Sequence, residues 1–280
     1  MTAIYYFLIS AASLIILLIL GSGIASRQFK YSVDSDIKEL LPQDFSQKGQ
    51  ITSENLHNLP DCVQHWLRNS QIIGRERIHK AMIRQKGQMK TSPEGKWMPF
   101  AAVSYYNVDQ PGFIWHARVN FAPGVKLLAR DKYFSGIGSM LIKLMGIFPV
   151  VNLNNNEEIN QGSLLRYLAE TVWFPSAAVS SEIRWEEIDP YTAKATMEYK
   201  GVTGSGIFKF NDRGEVVEFK ANRPRAVGDH FELTPWSIYL TEYHCFDGIQ
   251  IPSKGEVIWE LAGGDFNWFQ FEVQEAEYNF

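Results

Sequence analysis

The chain has 280 residues, of which 45% are hydrophobic and 14% aromatic, and its formal net charge is −4. Proteins that bind nucleic acids need a basic surface to neutralise phosphates, so this charge argues against that class. The two cysteines are too few for the disulfide framework of a small secreted protein.

The N-terminal segment is uncharged over Met1–Ser26 and almost continuously apolar over Ile4–Leu20. A helix over Ala3–Ile24 would rise roughly 33 Å at about 1.5 Å per residue, enough to cross a hydrocarbon core of about 30 Å. We therefore expect residues 1–26 to form one transmembrane anchor. A cleaved signal peptide is the alternative, but no Lys or Arg precedes the apolar run, which is also longer than the apolar region of such peptides.

Residues 27–55 are rich in polar side chains, with Ile37, Leu40 and Leu41 as an apolar cluster. They predict a linker that can contain one short helix, between this anchor and a single globular domain over residues 56–280. The protein is thus expected to be a single-pass membrane protein. Arg27 and Lys30 favour a cytoplasmic domain by the positive-inside rule, whereas Asp34 and Asp36 follow closely and leave the sidedness open.

The globular domain is predicted to start with a helix after Leu59-Pro60 and to continue as strands separated by Gly- and Pro-containing turns. Trp115–Phe121 and Val125–Tyr133 flank such a turn and predict a hairpin. Gly136–Val151 is nearly all apolar and is expected to be a helix buried against the sheet. The alternative for this segment is a lid or an element that dips into the membrane.

A second helix is predicted over Leu164–Val172, with Ser163 as its cap. Ala193–Tyr199 alternates apolar and polar residues as a half-buried strand does, and Asp212–Gly214 and Asp247-Gly248 predict hairpin turns. The pattern indicates an α+β, β-rich fold: a curved, half-closed antiparallel sheet with two or three helices packed on it.

Familiar catalytic motifs do not occur in the sequence. It contains no G-x-S-x-G nucleophile elbow, no Walker A loop and no H-E-x-x-H zinc motif. Cys62 with His65 and His244 with Cys245 have the composition of a zinc site, but neighbours on a strand point to opposite faces, so no metal site and no cofactor are predicted. Two unpaired, buried thiols are expected for Cys62 and Cys245, and one disulfide on an oxidising side of the membrane is the alternative.

Three clusters of polar and aromatic residues remain as candidates for a site. Arginine beside a carboxylate inside a cavity can orient an anionic group through its fork of donors. The alternative is that these arginines satisfy loops and helix ends. The clusters are Trp115, Arg118, Arg130 and Asp131; Arg166, Glu170 and Trp173; and Arg223, Arg225, Trp236 and Tyr243.

A series of motifs runs in a specific order from about Leu59 to the C-terminus, including Trp97–Ala102, Pro111–Arg118, Arg130–Tyr133, Leu165–Glu170 and Trp173–Ala177. In this order the chain resembles a bacterial family of proteins of unknown function, which often carry an N-terminal membrane segment. The resemblance implies no catalytic residues. It does place several of the candidate charged residues inside the motifs of the family.

Three functions are compatible with these features. The first is a membrane-tethered binding module for a lipid or another amphiphile, supported by the anchor and the aromatic content. The second is an enzyme of unfamiliar type, with Asp131 or Glu170 as acid or base; it requires Arg118, Asp131 and Glu170 to converge in one concave site. The third is a non-catalytic module for protein interactions at the membrane, with an exposed apolar patch and no enclosed pocket.

Overall fold

A single antiparallel sheet of 13 strands organises the chain in the computed structural model. The structure describes residues 2–41 and 49–280, without the side chains at positions 2, 3, 8, 11, 12, 14–17 and 19. Three α-helices and three short 3-10 helices accompany the sheet in these ranges. The helices are α1 (Thr2–Leu40), α2 (Asp61–Asn69) and α3 (Glu157–Glu170), and the 3-10 turns are Ser53–Leu56, Thr171–Trp173 and Pro175–Val179.

The strands follow one another mostly by hairpins. They are β1 (Lys80–Met89), β2 (Met98–Asn107), β3 (Gly112–Ala122), β4 (Val125–Phe134), β5 (Ile137–Leu144), β6 (Phe148–Asn154), β7 (Ile183–Asp189), β8 (Thr192–Tyr199), β9 (Val202–Phe210), β10 (Val216–Val227), β11 (His230–Phe246), β12 (Ile249–Leu261) and β13 (Gly264–Tyr278). Their order across the sheet is β6-β5-β4-β3-β2-β1-β13-β12-β11-β10-β9-β8-β7. The last strand, β13, therefore pairs with the first and lies at the centre, and β6 and β7 form the two edges.

The sheet curves around α3. This helix contacts β4 and β5 near one edge and β8, β9 and β10 near the other. Strands β5 and β9 stand nine places apart in the sheet, a separation of about 43 Å if the sheet were flat. A helix of 14 residues is only about 21 Å long and about 10–12 Å wide. The two halves of the sheet must therefore bend towards the helix and form two walls around it. The predicted antiparallel, unclosed sheet with a few helices is confirmed.

One wall meets α3 at Gly138 of β5. A Cβ atom at this position would lie 2.5 Å from Ser163 Oγ and 2.6 Å from the Ile159 carbonyl oxygen. The backbone N–H of Gly138 donates to Asn160 Oδ1 at 2.7 Å. The helix and the strand can approach this closely because glycine has no side chain.

The C-terminal part of α1 packs on the outer face of the sheet. Phe29, Val33 and Leu40 form a buried cluster with Ile114 of β3 and Leu128 of β4. Neighbouring strand residues point to opposite faces, so these two even-numbered residues face α1 while Trp115 and Ala129 face the inner core. The helix is thus a second layer, outside the curved sheet.

Residues 27–40 are therefore helical and differ from the expected polar linker. The apolar residues 29, 33, 37 and 40 recur at helical spacing and lie against the sheet, while charged residues cover the other faces of the helix. Residues 42–48 of the expected linker lie outside the described residues. The expected anchor is helical from Thr2 onward, but eight of its side chains between positions 8 and 19 are not described. Within the described part of the chain, none of the helices combines the length and the apolar character that crossing a membrane requires.

The expected helix over Gly136–Val151 is wrong: this segment forms the β5–β6 hairpin. Its turn places Met145 (φ 55°) and Gly146 (φ 74°) in the left-handed region. An apolar run of this length has no periodicity that separates helix from strand. The backbone of the segment instead forms hydrogen bonds with the neighbouring edge of β4, which decides in favour of strand.

The second helix starts earlier than expected. α3 begins at Glu157, and the side chain of its N-cap residue, Asn156, accepts a 2.7 Å hydrogen bond from the Ile159 N–H. Ser163, expected as the cap, lies inside the helix against Gly138. The predicted hairpins β3–β4, β9–β10 and β11–β12 are confirmed.

Candidate binding cavity and its buried charges

A cavity lies between the inner face of the sheet and the side of α3 that faces it. The cavity itself measures about 210 Å³, and the empty space reaches about 1260 Å³ once the mouth towards solvent is counted. Strands from both walls contribute to it, from β1 to β5 on one side and β10 to β13 on the other. Most lining side chains are apolar, among them Met89, Met98, Leu127, Met140, Ile142 and Val257.

Arg166 of α3 connects the helix to one wall of the cavity. Its Nη1 donates to Asp131 Oδ2 of β4 at 2.5 Å, and its Nε donates to Glu170 Oε1 at 2.8 Å. The guanidinium also lies over the ring of Phe113, 4.6 Å from the centroid, and 5.3 Å from that of Trp115. One arginine thus engages two carboxylates and two aromatic faces.

The carboxyl group of Glu170 is buried in this cluster. Burial raises its pKa above the ordinary value, and the charge and hydrogen bond of Arg166 oppose that rise. Its second oxygen accepts a 3.0 Å hydrogen bond from the hydroxyl of Tyr106 on β2, whose own pKa is raised by burial. One carboxylate oxygen of Glu170 therefore binds α3 to β2 through Tyr106, and the other holds Arg166 of the same helix in place.

Arg223 of β10 borders the cavity on the other wall. Its Nε donates to the carbonyl of Gly162 on α3 at 3.0 Å. The guanidinium lies 4.6 Å from the centroid of the Trp236 ring on β11. Burial lowers the pKa of Arg223 to about 10, so the side chain remains protonated at neutral pH.

Several hydrogen-bond donors in the cavity wall have no acceptor among the described residues. They are buried nitrogens of side chains that line the cavity: Gln85 Nε2, Trp115 Nε1, Arg130 Nε, Trp236 Nε1 and Trp268 Nε1. A buried donor without a partner costs free energy. Most of the surface of the cavity wall is therefore apolar. Several of its few polar atoms are hydrogen-bond donors without a partner among the described residues.

Eight of the eleven residues proposed from sequence line this cavity: Trp115, Arg130, Asp131, Arg166, Glu170, Trp173, Arg223 and Trp236. The guanidinium of Arg130 nevertheless pairs with Asp36 of α1 at 2.7 Å. Trp173 donates its indole N–H to the Pro252 carbonyl at 3.1 Å. Arg130 and Trp173 thus line the cavity and also form hydrogen bonds or ion pairs that stabilise the fold.

The other three residues lie elsewhere. Arg118 follows Trp115 by an odd number of positions on β3 and is exposed on the opposite face, as strand parity requires. Tyr243 of β11 lies outside the cavity, where its hydroxyl donates to the Val216 carbonyl at 2.7 Å. Arg225, from the same sequence cluster, is outside the lining and lies 3.7 Å from Glu232.

Sequence reasoning missed Gln85, Tyr106 and Trp268. Gln85 interrupts the buried alternation of Ala81 and Ile83 on β1, and a polar residue in the inward-facing series was a readable signal for it. Tyr106 and Trp268 carry no comparable signal, because aromatic residues are abundant on the inner face of this sheet.

The cysteines differ from their predicted burial in one case. Both are free; Cys62 on α2 is buried, but Cys245 is exposed next to the β11–β12 turn. The neighbour of Cys245, His244, instead shares a 2.8 Å hydrogen bond with Ser253 Oγ. Within residues 2–41 and 49–280, no group of three or more potential metal ligands occurs.

Solved structures with similar chain traces include three bacterial proteins. A DUF1329 family protein from Desulfovibrio piger is 10% identical, with a TM-score of 0.41 over 78% of this chain and 92% of its own. A LolA superfamily protein from Nitrosomonas europaea is 10% identical, with 0.44 over 78% and 94%. A domain from Vibrio parahaemolyticus, assigned to outer membrane lipoprotein sorting, is 8% identical, with 0.40 over 78% and 91%. At these TM-scores the likenesses carry no inference about ligand or activity.

No protein of curated function matches the chain. A family model, however, covers most of the globular part, from residue 49 to residue 271. This match confirms the resemblance to a family of unknown function that the motifs indicated. The chain belongs to that family, DUF6544, described as a family of unknown function.

Proposed function

We propose that this protein is a membrane-tethered binding module for a lipid or another amphiphilic ligand. The observation that carries the proposal is the cavity between α3 and the curved sheet, whose walls are mostly apolar. Each methylene group moved from water into such surroundings contributes about 0.8 kcal/mol, so a tail of about ten contributes about 8 kcal/mol. An alkyl tail is the ligand group that this lining favours.

Tryptophans in the wall provide a direct test. Trp115, Trp173, Trp236 and Trp268 all line the cavity, and bromine atoms quench indole fluorescence on contact. The full chain, in a mild sugar detergent, is titrated with a neutral fatty acid methyl ester brominated in its chain. We expect saturable quenching that the same ester without bromine reverses by competition.

A matched pair of variants locates the binding. Ala129 is buried in the cavity wall, and Ala226 is exposed on β10. Ala129→Phe fills the cavity and should abolish saturable quenching, whereas Ala226→Phe should bind like the wild type. Quenching that is non-saturable, or equal in both variants, would contradict the proposed function.

The tether is proposed for the N-terminal part of α1. The described apolar side chains there, such as Ile4, Phe7, Leu18, Leu20 and Ile24, are exposed, and exposed apolar surface of this kind is stabilised in a membrane. After an alkaline carbonate wash, the full chain should stay with the membranes. Leu18→Asp, which places a charge inside the apolar segment at a cost of up to about 3 kcal/mol, should shift the protein to the supernatant. A wild-type chain in the supernatant would refute the tether and leave the cavity proposal in place.

The two alternatives find less support. The enzyme hypothesis required Arg118 to converge with Asp131 and Glu170, but Arg118 is exposed on the outer face, and Arg166 already pairs with both carboxylates. The protein-interaction hypothesis expected no enclosed pocket, and the cavity argues against it.

A further inference from the structure

Arg223 differs from every other charged group in the cavity wall. Arg166 pairs with Asp131 and Glu170, and Arg130 pairs with Asp36. Arg223, by contrast, forms no ion pair with any residue that the structure describes. Among the described residues its one hydrogen-bond partner is the Gly162 carbonyl, which Nε binds, and this leaves the two terminal nitrogens of its fork available.

The surroundings of Arg223 make this charge costly. Burial is the first cause of its lowered pKa, and the charge of Arg166 acts in the same direction. Asp131 and Glu170 oppose the shift from a distance. A protonated guanidinium in an apolar wall is stabilised when an anion reaches it.

The nearest aromatic side chain adds a second donor at the same place. Arg223 lies over the Trp236 ring, and the buried Trp236 Nε1 has no acceptor among the described residues. Trp115 Nε1 and Gln85 Nε2 are further unpartnered donors along the wall. The fully buried side-chain atoms of the lining that lack a partner among the described residues are all donors, and a ligand that satisfies them must bring acceptors.

We propose that the ligand head is an oxyanion, a carboxylate or a phosphate, held by the terminal nitrogens of Arg223 and by Trp236 Nε1. The ligand is thus an anionic amphiphile whose tail occupies the apolar part of the cavity. This inference rests on the proposed function, because it names the head group of the ligand whose alkyl tail the apolar cavity is proposed to bind.

The test compares ligands that share a tail and differ in the head. The full chain in the same detergent is titrated at mildly alkaline pH with a chain-brominated fatty acid, with its neutral methyl ester and with a phosphatidic acid that carries the same brominated chain. At least one of the two anions should bind about tenfold or more tightly than the ester, as expected for a charge-assisted hydrogen bond. A stronger preference for the phosphatidic acid identifies a phosphate head, and the reverse identifies a carboxylate.

Variants on β10 assign the preference to one residue. Arg223→Gln should remove the preference for the anions over the ester, and its unfolding in urea, compared with that of the wild type, shows that the variant folds. Arg223→Lys should retain most of the preference. Arg225→Gln, two residues along the same strand and outside the cavity lining, should behave as wild type.

The failures of the two proposals are distinguishable. If the ester and both anions bind with equal affinity, the oxyanion inference is wrong and the binding module stands. If Arg223→Gln keeps the full preference, the assignment to Arg223 is wrong. If the ester itself fails to bind, the proposed function is wrong.

Discussion

Arg166 on α3 and Asp131 on β4 form a hydrogen-bonded ion pair that joins the helix to the inner face of the sheet, with 2.5 Å between Nη1 and Oδ2. Only 7% of the Asp131 side chain and 16% of the Arg166 side chain are exposed. The same guanidinium binds Glu170 on the next turn of the helix. The pair thus joins α3, which covers the cavity, to strand β4 in one of its walls.

Loss of Arg166 should strongly destabilise the fold. Arg166→Met leaves two buried carboxylates without their partner, and breaking buried pairs in this way costs about 3 kcal/mol or more. Arg184→Gln is the control, because Arg184 pairs with Glu186 at an exposed site, where ion pairs are worth less than about 1 kcal/mol. The free energy of unfolding in urea measures both, and equal losses would contradict the structural role of Arg166.

Glu170 should make the stability depend on pH in a defined direction. Burial raises the pKa of this carboxyl above its ordinary value of 4.5. A group whose pKa is higher in the folded state stabilises the fold below the unfolded pKa, and this contribution is lost as pH rises through the folded pKa. Glu170→Gln, which mimics the protonated acid, removes the effect.

The measurement for Glu170 is the difference in unfolding free energy between wild type and Glu170→Gln, followed from acidic to neutral pH. We expect this difference to fall as pH rises above 4.5. Comparing the two proteins at each pH cancels the titration of the other groups. A difference that stays constant, or that grows with pH, would contradict the raised pKa.

The cavity should tolerate added volume that the packed core does not. Ala169 of α3 lines the cavity, whereas Ala178 is fully buried outside its lining. Extra methyl groups in a well-packed core cost about 1–3 kcal/mol, so Ala178→Leu should lose that much stability. Ala169→Leu should change the free energy of unfolding by much less. Equal losses in urea unfolding would mean that the space beside Ala169 is not available to a ligand.

The sequence predicts the β3–β4, β9–β10 and β11–β12 hairpins better than it predicts the β5–β6 hairpin or the packing of α1 on the outer face of the sheet. Asp247-Gly248 is recognisable because both positions adopt positive φ, 47° and 74°, and these residue types accept that conformation. The β5–β6 turn uses the same region at Met145, a residue type that carries no turn signal. A strong apolar run therefore looked like a helix, although its partner was the free edge of β4.

The ion pairs that join helices to the sheet at the site could not be predicted from the sequence, because they connect residues far apart along the chain. Parity along β3 separates Trp115 from Arg118 correctly, because it depends only on neighbours in the strand. The pairing of Arg166 with Asp131 joins residues 35 positions apart, and the pairing of Arg130 with Asp36 joins residues 94 apart. Such contacts follow from the curvature of the whole sheet, which no local pattern specifies.

Asp36 should control how firmly α1 holds to the outer face of the sheet. Its carboxylate accepts from Arg130 at 2.7 Å and from Lys132 at 2.9 Å, and all three side chains are less than 20% exposed. Asp36→Asn leaves Arg130 without its carboxylate partner and leaves Lys132 with the exposed Glu39, and it should cost about 2 kcal/mol, less than breaking a fully buried pair. Amide hydrogen exchange over residues 27–40 should accelerate, because local opening of the helix becomes easier.

Glu39 provides the matched control for this prediction. It also lies on α1 and contacts Lys132 at 3.3 Å, but its side chain is 58% exposed, so Glu39→Gln should leave the exchange rates nearly unchanged. If Asp36→Asn has no larger effect than this control, α1 is held by its apolar face alone. If exchange accelerates throughout the sheet as well, the helix and the sheet unfold as one unit and the outer layer has no independent opening. Acceleration confined to residues 27–40 is the expected result, because Asp36 joins that segment to β4 without contributing to the inner core.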